Sequence, residues 1–120
     1  MSWISLIPRS KPPRRRRFKA RRGRIVDEAY CEWMRDTQPC MVTGRRPVTL
    51  HHVRRYGEPK DDRRIVPLIP SLHMLTDEIP GLPCVERGKQ VFESFWCVNL
   101  EASIVRYNLE YEAIRGRRAA

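Results

Sequence analysis

Apolar residues recur at helical spacing from Ile25 to Asp36, through Val26, Ala29, Tyr30, Trp33 and Met34, and Pro39 ends the run. Cys40-Met41-Val42-Thr43-Gly44 reads as a turn into a strand. Val48-Thr49-Leu50-His51-His52-Val53 is rich in β-formers and predicts that strand. Arg54 to Asp62, with Gly57 and Pro59, reads as a polar loop. Ile65 to Ile69 predicts a second short strand, with Pro67 marking an edge or an ending. Pro70-Ser71 opens a short helix, Leu72 to Glu78, which Pro80-Gly81 stops. Glu86 to Phe95 carries Val91, Phe92, Phe95 and neighbouring Trp96 toward one side. A last helix runs from Leu100 to Ile114, with Asn99 as N-cap and Ile104, Tyr107, Leu109, Tyr111 and Ile114 broadly at helical spacing. The pattern predicts an α+β domain: strand, loop, strand and short helix, with one helix before them and two after.

Charge sets the first 24 residues apart. The chain has 120 residues and a formal net charge of +10. Ten of its 24 lysines and arginines lie in residues 1–24 (Arg9, Lys11, Arg14, Arg15, Arg16, Arg17, Lys19, Arg21, Arg22, Arg24), with no acid among them. The other 14 are matched by 14 acidic residues, so the whole excess sits in this segment. It contains Pro12-Pro13, lacks apolar periodicity and repels itself, which predicts a disordered arm, residues 1–24, and a folded domain, residues 25–120. Such an arm neutralises phosphates and releases counterions, and arginine suits bidentate phosphate contacts. No apolar run approaches the roughly 20 residues that span a bilayer. Met1 to Pro8 is apolar ahead of the positive charges, the reverse of a secretory signal, so the expectation is a cytoplasmic protein without a membrane partner. Cys31, Cys40, Cys84 and Cys97 form no C-x-x-C pair, which predicts reduced thiols and no zinc ribbon; Cys31 and Cys97 fit apolar helix faces.

Candidate chemistry centres on the three histidines, His51, His52 and His73. Asp77 stands four residues after His73, and an i, i+4 pair on a helix shares one face. Neighbours on a regular strand point to opposite faces, so His51 and His52 need not do the same job. One can hold a metal while the other faces a substrate. Phosphodiester hydrolysis needs a nucleophile and relief of charge on phosphorus-bound oxygens. A divalent cation meets the second need and a neutral histidine can deprotonate water.

Thr49-Leu50-His51-His52-Val53-Arg54-Arg55, then Asp61-Asp62-Arg63-Arg64-Ile65-Val66-Pro67-Leu68, then His73, resembles the HNH (ββα-metal) endonuclease motif, especially that of small phage and prophage members. The resemblance spans residues 40–81, with the C-terminal helices over 86–115. It implies a ββα-metal finger and a DNA endonuclease of low sequence specificity, serving phage or mobile-element DNA processing or recombination. It implies His51 and His73 as metal ligands, Asp77 completing the set, and His52 as general base. One divalent ion (magnesium, manganese, zinc or nickel) is the implied cofactor, and DNA the implied partner. A homodimer, or a replication, recombination or packaging protein as partner, is compatible with this reading.

The chain departs from the family pattern at the middle asparagine, whose place falls near Arg64 or Asp62. Two roles stand open there: Arg64 holding a phosphate, or Asp62 orienting His52. Thr43 and Ile69 stand where many relatives carry structural-zinc cysteines, so no structural zinc is expected and an apolar contact takes its place; Leu72 likewise replaces a histidine that often precedes the helical ligand. From Arg45 to Arg64 the local charge is +4, and Arg54, Arg55 and Arg63 join Arg14, Arg15, Arg16 and Arg17 as expected DNA contacts. The alternative reading is a non-catalytic nucleic-acid-binding accessory protein with a degenerate HNH fold.

Overall fold

The structure, a computed structural model, describes residues 23–119. The arm's Arg14, Arg15, Arg16 and Arg17 lie outside the described residues. In chain order the elements are β1 (Arg24–Ile25), α1 (Glu28–Thr37), β2 (Thr49–His52), β3 (Lys60–Asp61), β4 (Ile65–Leu68), α2 (Pro70–His73), α3 (Lys89–Trp96) and α4 (Leu100–Ala119). Two 3-10 turns, Leu75–Asp77 and Val85–Arg87, separate α2 from α3. The protein is α+β, as the pattern predicts.

The first helix starts three residues later than its apolar periodicity suggests, because Asp27 caps it. The Asp27 side chain accepts from the Tyr30 amide at 3.2 Å, which leaves Ile25 and Val26 outside the helix and exposed. Ile25 and Arg24 instead form β1, paired in parallel with β3 in the register Arg24↔Lys60 and Ile25↔Asp61. Arg24, which charge groups with the arm, therefore lies in a strand, and one expectation is corrected: the loop 54–62 ends in a strand. Both strands are two residues long, below what sequence periodicity can reveal.

Strands β2 and β4 pair antiparallel, Thr49↔Leu68 through His52↔Ile65. Strand β4 is buried along its length, with α1, α2 and α4 packed on the hairpin. Pro67 lacks an N–H, and β4 pairs on one side only, with β2; the Pro67 carbonyl is satisfied by the Met41 amide at 3.0 Å. The core joins Tyr30 and Met34 of α1, Ile65, Val66 and Leu68 of β4, Leu72 of α2, Phe92 of α3, and Leu100, Ile104 and Tyr107 of α4. Cys40 and Leu72 lie in this cluster and Ile69 packs against it.

The helix expected from Leu72 to Glu78 stops at His73. Met74 is extended (φ −116°, ψ 139°). The following segment is held by other partners: the Leu75 amide donates to Glu86 Oε1 at 3.0 Å, and Glu78 accepts from the Cys84 amide at 2.8 Å and from Arg87. Met74 and Leu75 are exposed, so a longer helix there would gain no apolar burial. Likewise Gly88 at φ 148°, a conformation open to glycine, divides a 3-10 turn from α3, so that helix begins at Lys89 rather than Glu86. Asn99 caps α4 as expected, accepting from the Ala102 amide at 2.9 Å, and Glu93 takes the Leu100 amide at 2.7 Å. The helix runs on to Ala119, past the expected Ile114, and Leu109 is exposed rather than buried. Cys97 is exposed at the left-handed C-cap of α3, not on an apolar face.

Candidate active site

Regular antiparallel pairing sends alternate side chains of β2 to opposite faces. Thr49 and His51 face α2, and His52 faces the side where β3 and the start of α1 meet. The two histidines of the doublet therefore enter different surroundings, as adjacency on a strand predicts.

On the first face His51 meets His73 of α2. Their ring centroids are 5.2 Å apart and the planes lie at 73°. Thr49 Oγ1 donates its one proton to the Leu68 carbonyl at 2.9 Å and lies 2.7 Å from His73 Nδ1. With the hydroxyl proton committed, His73 Nδ1 is the donor in that second contact, so Nε2 keeps its lone pair. Burial, with His73 and His52 close by, pushes the His51 pKa down to about 4 against the opposing pull of Glu86. Burial also lowers that of His73. Both rings are thus neutral near pH 7, the state in which imidazole binds a metal. Two imidazoles on one ion, at a metal–nitrogen distance of ~2.1 Å, have centres about 5 Å apart, and the spacing observed here matches that value.

Asp77 does not join them on a common helix face. The break at Met74 places it in the separate 3-10 turn, where it is exposed. The i, i+4 geometry that motivated it as a third ligand is absent. Among the described residues, no group of three or more His, Cys, Asp or Glu side chains is gathered at metal-binding distance.

On the second face His52 Nε2 lies 2.8 Å from Asp62 Oδ1. Asp62 is buried, and burial alone would raise its pKa. Donation from the Asp27 amide (2.9 Å), the His52 ring and the Arg24 guanidinium (3.1 Å) outweighs this and holds it at about 2. An ionised carboxylate can only accept, so His52 Nε2 carries the proton and Nδ1 has the lone pair. This is the arrangement of a base oriented by an acid. It opens on a groove of about 780 Å³ lined by Arg24, Glu28, Arg35, Leu50, His52 and Asp62, among others.

The expected arginine contacts divide. Arg64, a candidate for holding a phosphate, is engaged within the protein: it grips Glu101 of α4 through both terminal nitrogens and the Val53 carbonyl through Nε at 3.0 Å. Arg63, expected on DNA, is spent inside the protein. It donates to Asp27 (2.7 Å), Asn108 (2.9 Å) and Glu112 (2.8 Å), with its guanidinium 4.7 Å from the Tyr30 ring centre and 5.1 Å from that of Tyr111. It ties β3–β4 to α1 and α4. Arg54 and Arg55 are exposed; Arg55 makes only long ion pairs, 3.6 Å to Glu58 and 3.7 Å to Glu101, and stays accessible to a polyanion.

Two residues of the site escaped the sequence reading. Thr49 had a usable signal, since it stands two before His51 and therefore shares its face. Arg24 had none, because it reaches Asp62 only through a parallel pairing between remote segments. No helix among the described residues is long and apolar enough to cross a membrane. No protein-family model, curated protein or solved structure matches the chain.

Proposed function

We propose that the protein is a divalent-metal-dependent DNA endonuclease of the HNH type, hydrolysing phosphodiester bonds with His52 as general base. The observation that carries this reading is the His52–Asp62 contact, one histidine braced by a carboxylate, with the neutral His51–His73 pair on the opposite face of the same strand. Asp62 takes the place that the family gives to its asparagine, orienting the base through Nε2. The β2–β4 hairpin followed by α2 supports the ββα finger.

His51 and His73 would hold the ion, with Thr49 fixing the His73 tautomer. When bound, the ion supplies positive charge for the oxygens of the phosphate under attack and for the leaving oxygen. His52 Nδ1 takes a proton from water as the water oxygen bonds to phosphorus, and the bond from phosphorus to the 3′ oxygen breaks. Asp62, ionised throughout, steadies the imidazolium that results. The 3′ oxygen leaves as an alkoxide that takes a proton from solvent water to become the 3′-hydroxyl, His52 returns its proton to solvent, and the other fragment keeps a 5′-phosphate. Arg54 and Arg55, with the arginines of residues 14–17, would supply sequence-independent phosphate contacts. With no base-reading element identified, low specificity follows, suited to DNA processing or recombination in a phage or mobile element.

A second reading is a binding accessory protein of the same fold that does not cut. The regular strand favours it, since His51 and His52 diverge and only two donors meet at the metal position. The His52–Asp62 pair favours the nuclease, because a binder has no use for a braced base. Incubating purified protein with supercoiled plasmid and duplex DNA in magnesium, manganese, zinc or nickel separates them: metal-dependent nicking supports the first, and salt-sensitive binding without cleavage selects the second.

A further inference from the structure

We infer that Arg24 is the phosphate-contacting residue at the His52 groove, binding a backbone phosphodiester of the nucleic acid with the donors it does not spend on Asp62. This rests on the nuclease reading and adds to it the residue that seats the substrate beside the base.

Three observations lead there. First, Arg63 and Arg64, which the sequence puts nearest the dyad, are committed to Asp27, Asn108, Glu112 and Glu101. Among the described residues Arg24 spends one donor, from Nη2 to Asp62 Oδ1, and a guanidinium has five. Its side chain is 50% exposed while that of Asp62 is 2% exposed, so one edge is anchored inward and the other faces solvent. Second, Arg24 donates to the same carboxylate oxygen that receives His52 Nε2, and it lines the same groove as His52. A phosphate held on its outer edge therefore lies beside the base. Third, Arg24 does not reach in from a loose chain. Its backbone is paired with β3, flanked by the Lys60 amide on the Gly23 carbonyl (3.2 Å) and the Asp62 amide on the Ile25 carbonyl (2.9 Å). A planar fork fixed at its base and bonded at one edge to a carboxylate is preorganised to take phosphate oxygens at the other.

The test uses the full chain without metal, in chelator, so that binding is read without cleavage. A fluorescein-labelled 20-base-pair duplex is titrated by anisotropy over a range of salt. Arg24→Ala is expected to raise Kd about tenfold and to lower the salt slope by about one, Arg24→Lys to fall between, and Arg106→Ala, on the exposed face of α4, to change nothing. Asp62→Asn loosens the anchor but keeps the donors that meet the phosphate, so it is expected to raise Kd less than Arg24→Ala and to leave the salt slope as it is, which separates phosphate binding from mere bracing of Asp62. An Arg24→Ala Kd and slope equal to wild type overturn the proposal, whether or not the protein cuts DNA; so does an Asp62→Asn loss in both Kd and slope as large as that of Arg24→Ala. If Arg24→Ala fails to fold by circular dichroism, Arg24→Gln and Arg24→Lys carry the test, and an unchanged slope in both overturns it. Arg24-dependent binding by a wild-type protein that never cleaves supports this contact and sinks the nuclease reading instead.

Discussion

His52 and Asp62 stand ten residues apart in the chain and 2.8 Å apart in space, with the histidine on β2 and the aspartate just past β3. This contact fixes the ring's tautomer and aims its free nitrogen, and most of the functional reading follows from it. Asp62→Ala removes the acceptor, so nothing enforces protonation at Nε2 or stabilises the imidazolium, whereas Asp62→Asn keeps an acceptor and should lose less. We expect cleavage by Asp62→Ala to fall about 100-fold with DNA binding largely kept, read as kcat and Kd on one duplex substrate. Equal activity in Asp62→Ala contradicts the orienting role.

The same carboxylate makes acid stability a signature. Its folded pKa of about 2 lies below its ordinary 3.8. Because the folded value is depressed, the stability it contributes is present in full above the unfolded value and is lost as pH falls from about 4 through 2. The linkage is worth about 2 kcal/mol for a shift of this size. Urea unfolding at pH 6 and pH 3 should show wild type losing more than Asp62→Asn over that interval. Parallel losses would mean that the Asp62 network contributes nothing.

Metal binding should depend on a residue that cannot touch the metal. Thr49→Val removes the acceptor for His73 Nδ1–H and frees the ring to take the wrong tautomer. We expect zinc or nickel affinity, measured by titration calorimetry, to drop roughly 10- to 100-fold, while His51→Ala and His73→Ala abolish binding. Wild-type affinity in Thr49→Val removes the tautomer argument.

Arg63 separates structural from DNA-binding arginine. Its partners lie on α1 and α4, and two tyrosine rings flank it. Arg63→Ala should destabilise the fold by about 2 kcal/mol in urea while changing duplex affinity less than twofold. A large affinity loss with intact stability would return it to the interface. Replacing Arg14, Arg15, Arg16 and Arg17 with alanine should do the opposite, lowering the salt slope of DNA binding by up to about 3.6 with no change in melting temperature.

The order of helix, strand, strand and helices was legible because each segment is long enough to show a period. The site was legible where local spacing decides it: His51 and His52 on opposite faces, and His73 one element later. What local spacing could not reveal came from contacts between remote segments. Asp27 is an N-cap whose other partner, Arg63, lies 36 residues on. Asp77 fits an i, i+4 rule that holds only if the helix continues, and tertiary bonds from Glu86 and Glu78 end it at His73. Arg63 and Arg64 look like free charge in sequence, but Asp27, Glu101 and Glu112, distant in the chain, claim them. Asp62 stood as one of two candidates for the missing asparagine, and the pairing of β1 with β3 brings it under His52.

The most direct test compares wild type with His52→Ala on supercoiled plasmid across magnesium, manganese, zinc and nickel. The account predicts metal-dependent nicking that leaves 5′-phosphate and 3′-hydroxyl ends, reduced about 10²- to 10⁴-fold in His52→Ala while DNA binding persists. Equal cutting by the two proteins, or no cutting by wild type in any of the four metals, would contradict it.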